Sequence, residues 1–272
     1  MCTVITGFDP SAPVPLVLAA VRDELLLRPW EPPARHWPGH PGLVGGRDTE
    51  AGGTWLAVRT GAGARVCAVL NAAPRGGSEA EPPVRTVPPG AQLSRGRLPL
   101  LCADGGAEAA EREDLARYEP FHLVVADPSG GAVLTWDARE LRREPLPSGV
   151  SVVTNSGLDA NAPRAVRHAP VFGDARPAPG ASGLEAARTP KEVWGEWPRL
   201  LDEGVRGPAR TGGYGAGEDD PASLAARVEL GPDRVWATSS MALAAVAVEG
   251  ARMAFSAEPG VPEAWRMVDE VH

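Results

Sequence analysis

Met1-Cys2-Thr3-Val4-Ile5-Thr6-Gly7 is the stretch on which the rest of the chain turns. Thr3 to Thr6 is rich in β-branched residues and predicts a first strand. A start methionine ahead of a small residue is normally removed in the cytosol. Removal leaves Cys2 as the new N-terminus, with a thiol and a free α-amine on one residue. The thiolate is the reactive form of cysteine, and an α-amine titrates near pH ~7.7–8.0. One residue then carries a nucleophile and a base able to take its proton. If Met1 is retained, that chemistry is absent.

Working outward, the 272 residues can bury a full core, and their organisation is that of a single domain over 1–272. Hydrophobic residues make up 43% and charged residues 23%, the balance of a globular chain rather than a disordered one. The net charge of −8 comes without a Lys/Arg cluster, which excludes a nucleic-acid partner. No apolar run approaches the ~20 residues that span a bilayer, so no stable membrane insertion is expected. Asp9 and Pro10 interrupt the N-terminal apolar stretch, and no basic region precedes it, so no signal peptide is expected. Cys2, Cys67 and Cys102 form no CxxC pair and are odd in number. A disulfide framework is not expected, and a reducing cytoplasm is. Cys67 and Cys102 lie in apolar surroundings and read as packing residues. Nothing in the pattern sets an oligomeric state.

Pro15–Val21 reads as a second strand, and Arg28–Gly46 as a long loop rich in Pro, Gly and aromatics. Thr54–Val58 and Val66–Asn71 predict a hairpin turning at Gly61-Ala62-Gly63, and Phe121–Ala126 with Ala132–Trp136 another. Val150–Thr154 reads as a strand, and Val235–Val248 with Met253–Phe255 as a closing hairpin. Ala107–Tyr118 is helical in character, and Pro190–Leu201 predicts a helix with Thr189 as cap and Pro190 at its first position. Ser94–Ala103 is apolar and could be either. Ala73–Gly90, Asn161–Gly183 and Arg206–Asp220 read as loops, and Pro221–Val228 as a short helix or strand. Hairpins at both ends with helical segments between them predict an antiparallel α+β layered fold.

Several segments fall in a recognisable order. They are Met1-Cys2-Thr3, Arg22-Asp23-Glu24, Arg28-Pro29, Gly45-Gly46-Arg47-Asp48 and Gly52-Gly53-Thr54-Trp55-Leu56. Leu70-Asn71, Tyr118-Glu119-Pro120-Phe121-His122-Leu123 and Thr154-Asn155-Ser156-Gly157-Leu158-Asp159 follow. Together they resemble the NRDE-motif family, also called the transport and Golgi organization protein 2 family. The eponymous Asn-Arg-Asp-Glu reads Val21-Arg22-Asp23-Glu24 here. That family is similar in turn to the N-terminal nucleophile hydrolases of the choloylglycine hydrolase and penicillin V acylase type. The resemblance implies a four-layer αββα sandwich of two antiparallel sheets. It also implies a site built from Cys2, Arg22, Asp23, Asn71, Asn155 and Arg164.

In such a site each residue type has a physical task. Arg22 favours the charged form of the Cys2 thiol. The α-amine takes the thiol proton and returns it to the leaving amine. Asp23 orients that amine, and Asn71 and Asn155 present NH₂ donors to the oxyanion. Taken alone, the same residues have plainer readings. Arg22-Asp23 makes an ion pair at a strand end, Asn71 and Asn155 make turns, and Trp55 fills the core. Gly45, Gly46, Gly52 and Gly53 do not match a phosphate-binding signature and suit turns or close backbone approach. Ser239-Ser240 either lines the pocket or caps an edge.

The expected function is a cysteine amidase or acyl hydrolase acting on a small N-acyl amide through Cys2, with a small molecule as its partner. No cofactor and no metal are expected; His36 and His40 are separated by Pro and Gly and lack a third ligand. The alternative is a non-catalytic protein that binds or traffics haem or another small molecule. His36, His40, His122 and His168 are the possible haem ligands, none in a recognised haem motif. His122 alone reads as a core residue.

Overall fold

Strand β2 (Leu16–Leu25) shows how the layers are built. Side chains along a strand alternate between its two faces. Leu16, Leu18 and Ala20 join one buried cluster, while Val17, Ala19 and Val21 join another. A strand covered on both faces reads as a continuous apolar run, which is how Pro15–Val21 appears in the sequence.

The computed structural model describes residues 2–72, 87, 90–206, 220–232 and 234–269. The described residues form two seven-stranded antiparallel sheets. The first holds β1 (Thr3–Phe8), β2, β10 (Gly149–Val153), β12 (Val235–Val246), β13 (Ala251–Ser256) and β14 (Arg266–Met267) in the order β10-β1-β2-β12-β13-β14. A short β11 (Arg227–Glu229) also pairs with β12. The second is a meander in chain order: β3 (Trp30–Ala34), β4 (Leu43–Asp48), β5 (Leu56–Arg59), β6 (Arg65–Asn71), β7 (Phe121–Asp127), β8 (Gly130–Trp136) and β9 (Leu141–Pro145).

Leu16 and Leu18 meet Val44, Val66 and Val124 between the sheets. On the outer face of the first sheet, Val17 and Leu243 pack under α3 (Pro163–Asp174), α4 (Ala181–Ala186), α5 (Pro190–Trp194) and α6 (Trp197–Arg206). Trp194 and Trp197 are fully buried there, and their indole N–H groups donate to Ala244 O (3.1 Å) and Phe172 O (3.2 Å). A buried indole keeps its polar edge satisfied in this way. On the outer face of the second sheet, Leu43, Cys67 and Leu123 pack under α1 (Arg97–Gly105) and α2 (Glu108–Glu111). The order helix, sheet, sheet, helix is the expected αββα sandwich.

The structure departs from the sequence reading in four places. Arg28–Gly46 is no single loop, because it contains β3 and the start of β4. β3 lies at the sheet edge and its register with β4 breaks between Glu31 and Ala34, so Pro32 and Pro33 cost no ladder bonds. Gly45 sits inside β4 because a Cβ there would lie 2.3 Å from Leu56 O. Within Asn161–Gly183, Pro163 opens α3 at its first turn, where a missing N–H is harmless, so Pro marks a helix start. Pro190–Leu201 is two helices broken at Gly195, whose φ is +54°. Thr189 caps the first through a capping box with Glu192. Ser94–Ala103 resolves as mostly helix, and Ala107–Tyr118 as α2 followed by a 3₁₀ turn over Leu115–Arg117. Most of Ala73–Gly90 and Arg206–Asp220 lies outside the described residues. Among the described residues no helix is long and apolar enough to cross a membrane.

Candidate functional site

Thr3 pairs with Val21 in the β1–β2 ladder, so the start of β1 lies beside the end of β2. Cys2 is thereby brought to Arg22 and Asp23. Its thiol donates to Asp23 O at 3.6 Å, and it packs against the inter-sheet core. Burial pushes the Cys2 thiol above the ordinary range, the Asp23 charge adds to this, and Arg22 opposes it. The resting thiol is therefore neutral.

Alternation along β2 sends Arg22 and Asp23 to opposite faces. Arg22 follows Ala20 toward the second sheet and is 5% exposed. Its Nη1 donates to Ser239 Oγ (3.0 Å), Ser239 Oγ donates back to Arg22 O (3.2 Å), and Glu24 lies 3.7 Å from Nη2. The guanidinium carbon stands 4.2 Å over the Trp55 ring. Asp23 follows Val21 toward the helices and is 4% exposed. Thr238 Oγ1 donates to Asp23 Oδ1 at 2.7 Å. Burial raises the Asp23 pKa, and the Arg164 charge pulls it back. Arg164, 3% exposed on α3, donates from Nη1 to Thr3 Oγ1.

Both serine and threonine come from one irregularity. Thr238 pairs with Asp23 and Ser240 with Arg22, leaving Ser239 as an extra residue in β12. This β-bulge supports both charged side chains from a single strand. Ser239 therefore stands behind Arg22 and holds its guanidinium without itself bordering the cavity.

A cavity of about 510 Å³ opens at this end of the sandwich. Cys2, Arg22, Asp23 and Asn71 all border it. Arg28, Asp48, Trp55 and Arg95 also line it, and sequence reasoning did not assign these four to the site. Arg28 Nε donates to Asp48 Oδ2 (2.6 Å), while Asp48 Oδ1 accepts from the N–H groups of Glu50 (3.1 Å) and Ala51 (3.0 Å). Gly53 touches the backbone of Gly96, and Thr54 N–H donates to Gly96 O (2.9 Å), which draws Ser94–Gly96 into the wall. Trp55 precedes β5, packs against the inter-sheet core as expected, and also borders the cavity. Gly45, close to Leu56 O, and Gly53, close to the backbone of Gly96, were the available signal.

The two asparagines do not converge as expected. Asn71 borders the cavity. Asn155 instead donates its side-chain amide to the backbone carbonyl of Asn71, and its own carbonyl contacts His122 Nε2 at 3.0 Å. Asn155 braces Asn71, and Arg164 reaches the site from the far side of the sheet. His36 and His40 diverge: His36 Nε2 contacts Pro32 O (2.8 Å), and His40 Nδ1 contacts Asp104. His122 Nδ1 contacts Thr135 Oγ1 (2.9 Å) and His168 Nε2 contacts Ala222 O (2.8 Å). Among the described residues, no group of three His, Cys, Asp or Glu side chains is placed to hold a metal ion.

Residues 1–176 match the family described as Transport and Golgi organisation 2. The chain belongs to that family. No curated protein sequence matches it. A solved structure of similar course is the Caenorhabditis elegans ortholog of N-acylethanolamine-hydrolyzing acid amidase, at 12% identity and TM-score 0.38, covering 97% of this chain and 95% of that one. In this member of the Transport and Golgi organisation 2 family, Val21 stands where the eponymous motif has Asn. It is buried on the helix side with Ile5 and Met241, so the departure changes the packing behind Asp23 and not the cavity wall.

Proposed function

We propose that this protein is a cysteine amidase that hydrolyses a small N-acyl amide through Cys2 once Met1 has been removed. The observation that carries the reading is the meeting of Cys2, Arg22, Asp23 and Asn71 at one cavity. The α-amine of Cys2 takes the thiol proton as sulfur bonds to the amide carbonyl carbon. Asn71 donates to the oxygen that becomes anionic, and Asn155 holds Asn71 in place. The tetrahedral adduct expels the amine, which leaves with the proton from the α-ammonium. Water, deprotonated by the same α-amine, then cleaves the thioester and releases a carboxylic acid and the free thiol. Arg22 lowers the cost of the thiolate, and Asp23, with Arg164 behind it, orients the amine.

The wall favours a compact polar acyl group. The charged Arg22, Asp23, Glu24, Arg28, Asp48 and Arg95 outnumber the large apolar Trp55, Val69 and Leu93. A reducing cytoplasm suits a chain whose three cysteines are all free. The four histidines considered as haem ligands lie off the cavity wall.

The test begins with the intact mass, which reports the loss of Met1. Processed protein and Cys2→Ala are then incubated with N-acyl amides ranging from acetyl to palmitoyl. Cleavage of the short polar members by the wild type alone, with an acyl-enzyme adduct on Cys2, is the expected result. Equal turnover by Cys2→Ala, or no turnover of any member by processed protein, overturns the reading.

A further inference from the structure

Gly45-Gly46 and Trp55 belong to the same sequence motif, and the fold gives that motif a mechanical meaning. Gly46 lies on β4 two residues after Val44, on the face turned to the first sheet. A Cβ at Gly46 would lie 2.3 Å from Trp55 Cη2 and 2.4 Å from Cζ2. Glycine is therefore required there by the indole and not by the backbone. With that space free, the indole lies under Arg22, 4.2 Å from the guanidinium carbon to the ring centroid. Trp30 meets Trp55 edge-on at 6.0 Å and 86°, and Phe255 of the first sheet meets Trp30 at 5.6 Å. The aromatic chain thus runs from one sheet to the other and fixes the indole from behind. Ser239 holds the guanidinium through Nη1.

We propose that Trp55, seated by Gly46, is a positioning residue that holds the Arg22 guanidinium at the Cys2 end of the cavity and so sets how readily the Cys2 thiol ionises. A cation over an aromatic face is attracted by the ring quadrupole, more strongly where water is excluded. Without the ring, Arg22 has Glu24 on its open side, 3.7 Å from Nη2, and turns toward it. The thiol then loses the support of the Arg22 cation. The inference deepens the amidase reading but rests on it only for what the thiolate is used for, because thiol ionisation is measurable without any substrate.

The experiment follows alkylation of Cys2 by iodoacetamide from pH 7 to 11.5 in full-length protein, with the Cys2 peptide quantified by mass spectrometry. Trp55→Leu is expected to raise the midpoint by about one pH unit, which lowers the thiolate fraction at neutral pH about tenfold. Trp55→Phe, which keeps an aromatic face, is expected to stay near the wild type. Gly46→Ala is expected to move the midpoint as Trp55→Leu does, because it displaces the ring. If Trp55→Leu fails to fold, Gly46→Ala carries the same comparison. In an Arg22→Gln background Trp55→Leu is expected to add nothing. A wild-type profile for Trp55→Leu or Gly46→Ala, or shifts from Trp55→Leu and Arg22→Gln that add in full, overturns the proposal. Failure to cleave amides with these shifts present would count against the amidase reading alone.

Discussion

The two faces of β2 at its far end carry opposite charges with opposite support. On the inter-sheet face Arg22 is held by an indole from the other sheet and one serine. On the helix face Asp23 is held by a threonine and sits in the field of a buried arginine. Residues adjacent in sequence thus point to opposite faces of one sheet, although both border the cavity. Both charges reach the Cys2 thiol, the Asp23 carboxylate raising its pKa and the Arg22 cation lowering it. On the proposed mechanism, the cation and the carboxylate that act at Cys2 are held from different layers of the fold.

The most severe way to break this division is to remove the amine and keep the thiol. An N-terminal extension that leaves Cys2 in a peptide bond is expected to lower amide turnover ~10²–10⁴-fold, the usual worth of one general base. Cys2 alkylation should then continue to depend on Arg22. Turnover assays and alkylation on the same sample check both statements.

Arg164→Gln sharpens the comparison from the helix side. Asp23 already has a raised pKa from burial, and loss of the Arg164 charge raises it further. A carboxylate that must be ionised then fails at a higher pH as the solution is acidified. The acid limb of the pH–rate profile should shift upward while the thiol limb stays in place. Thermal or urea melts should show a loss of ~1.5–3 kcal/mol, the worth of a hydrogen bond to a charged group. An unchanged acid limb would show that Asp23 does not govern the amine.

Thr238→Val is a milder cut on the same face. It leaves Asp23 Oδ1 without its 2.7 Å donor and Ala226 N–H without its 2.8 Å acceptor. A stability loss of ~1–3 kcal/mol in urea melts is expected, with a smaller upward move of the acid limb. Asn155→Ala should have the least effect, ~0.5–1.5 kcal/mol for one hydrogen bond. Because it frees the Asn71 backbone, kcat should fall more than KM rises. A pure KM effect would place Asn155 against the substrate.

Much of this was legible in the sequence where the signal is local. The Gly61-Ala62-Gly63 turn marks the β5–β6 hairpin, and Thr189 with Pro190 marks the start of α5. Cys2, Arg22, Asp23 and Asn71 stand on ordered motifs and meet at one cavity. What stayed hidden depends on neighbours that only packing supplies. Pro32-Pro33 suggests a loop until the open edge of a sheet accepts it. Gly45-Gly46 suggests a turn or a close approach, and only Leu56 O and the Trp55 ring, filling the space above it, decide for the approach. Trp55 reads as core because nothing in its own segment reveals a guanidinium arriving from the other sheet. Asn155 reads as a donor to substrate because the carbonyl it meets lies 84 residues away.

The extra residue in β12 has a consequence for how such a site can change. Deleting Ser239 would leave Thr238 opposite Asp23 and Ser240 opposite Arg22 in an unbroken ladder, with every apolar residue from Met241 onward still facing the same layer. Almost anywhere else in a strand buried on both faces, losing one residue turns the strand inside out. The chain therefore contains one position where its length can vary by a single residue at little risk to folding. That position is the one whose hydroxyl grips Arg22. Chain length at Ser239 is a point where descendants of this sequence could gain or lose a hold on the site without rebuilding the core.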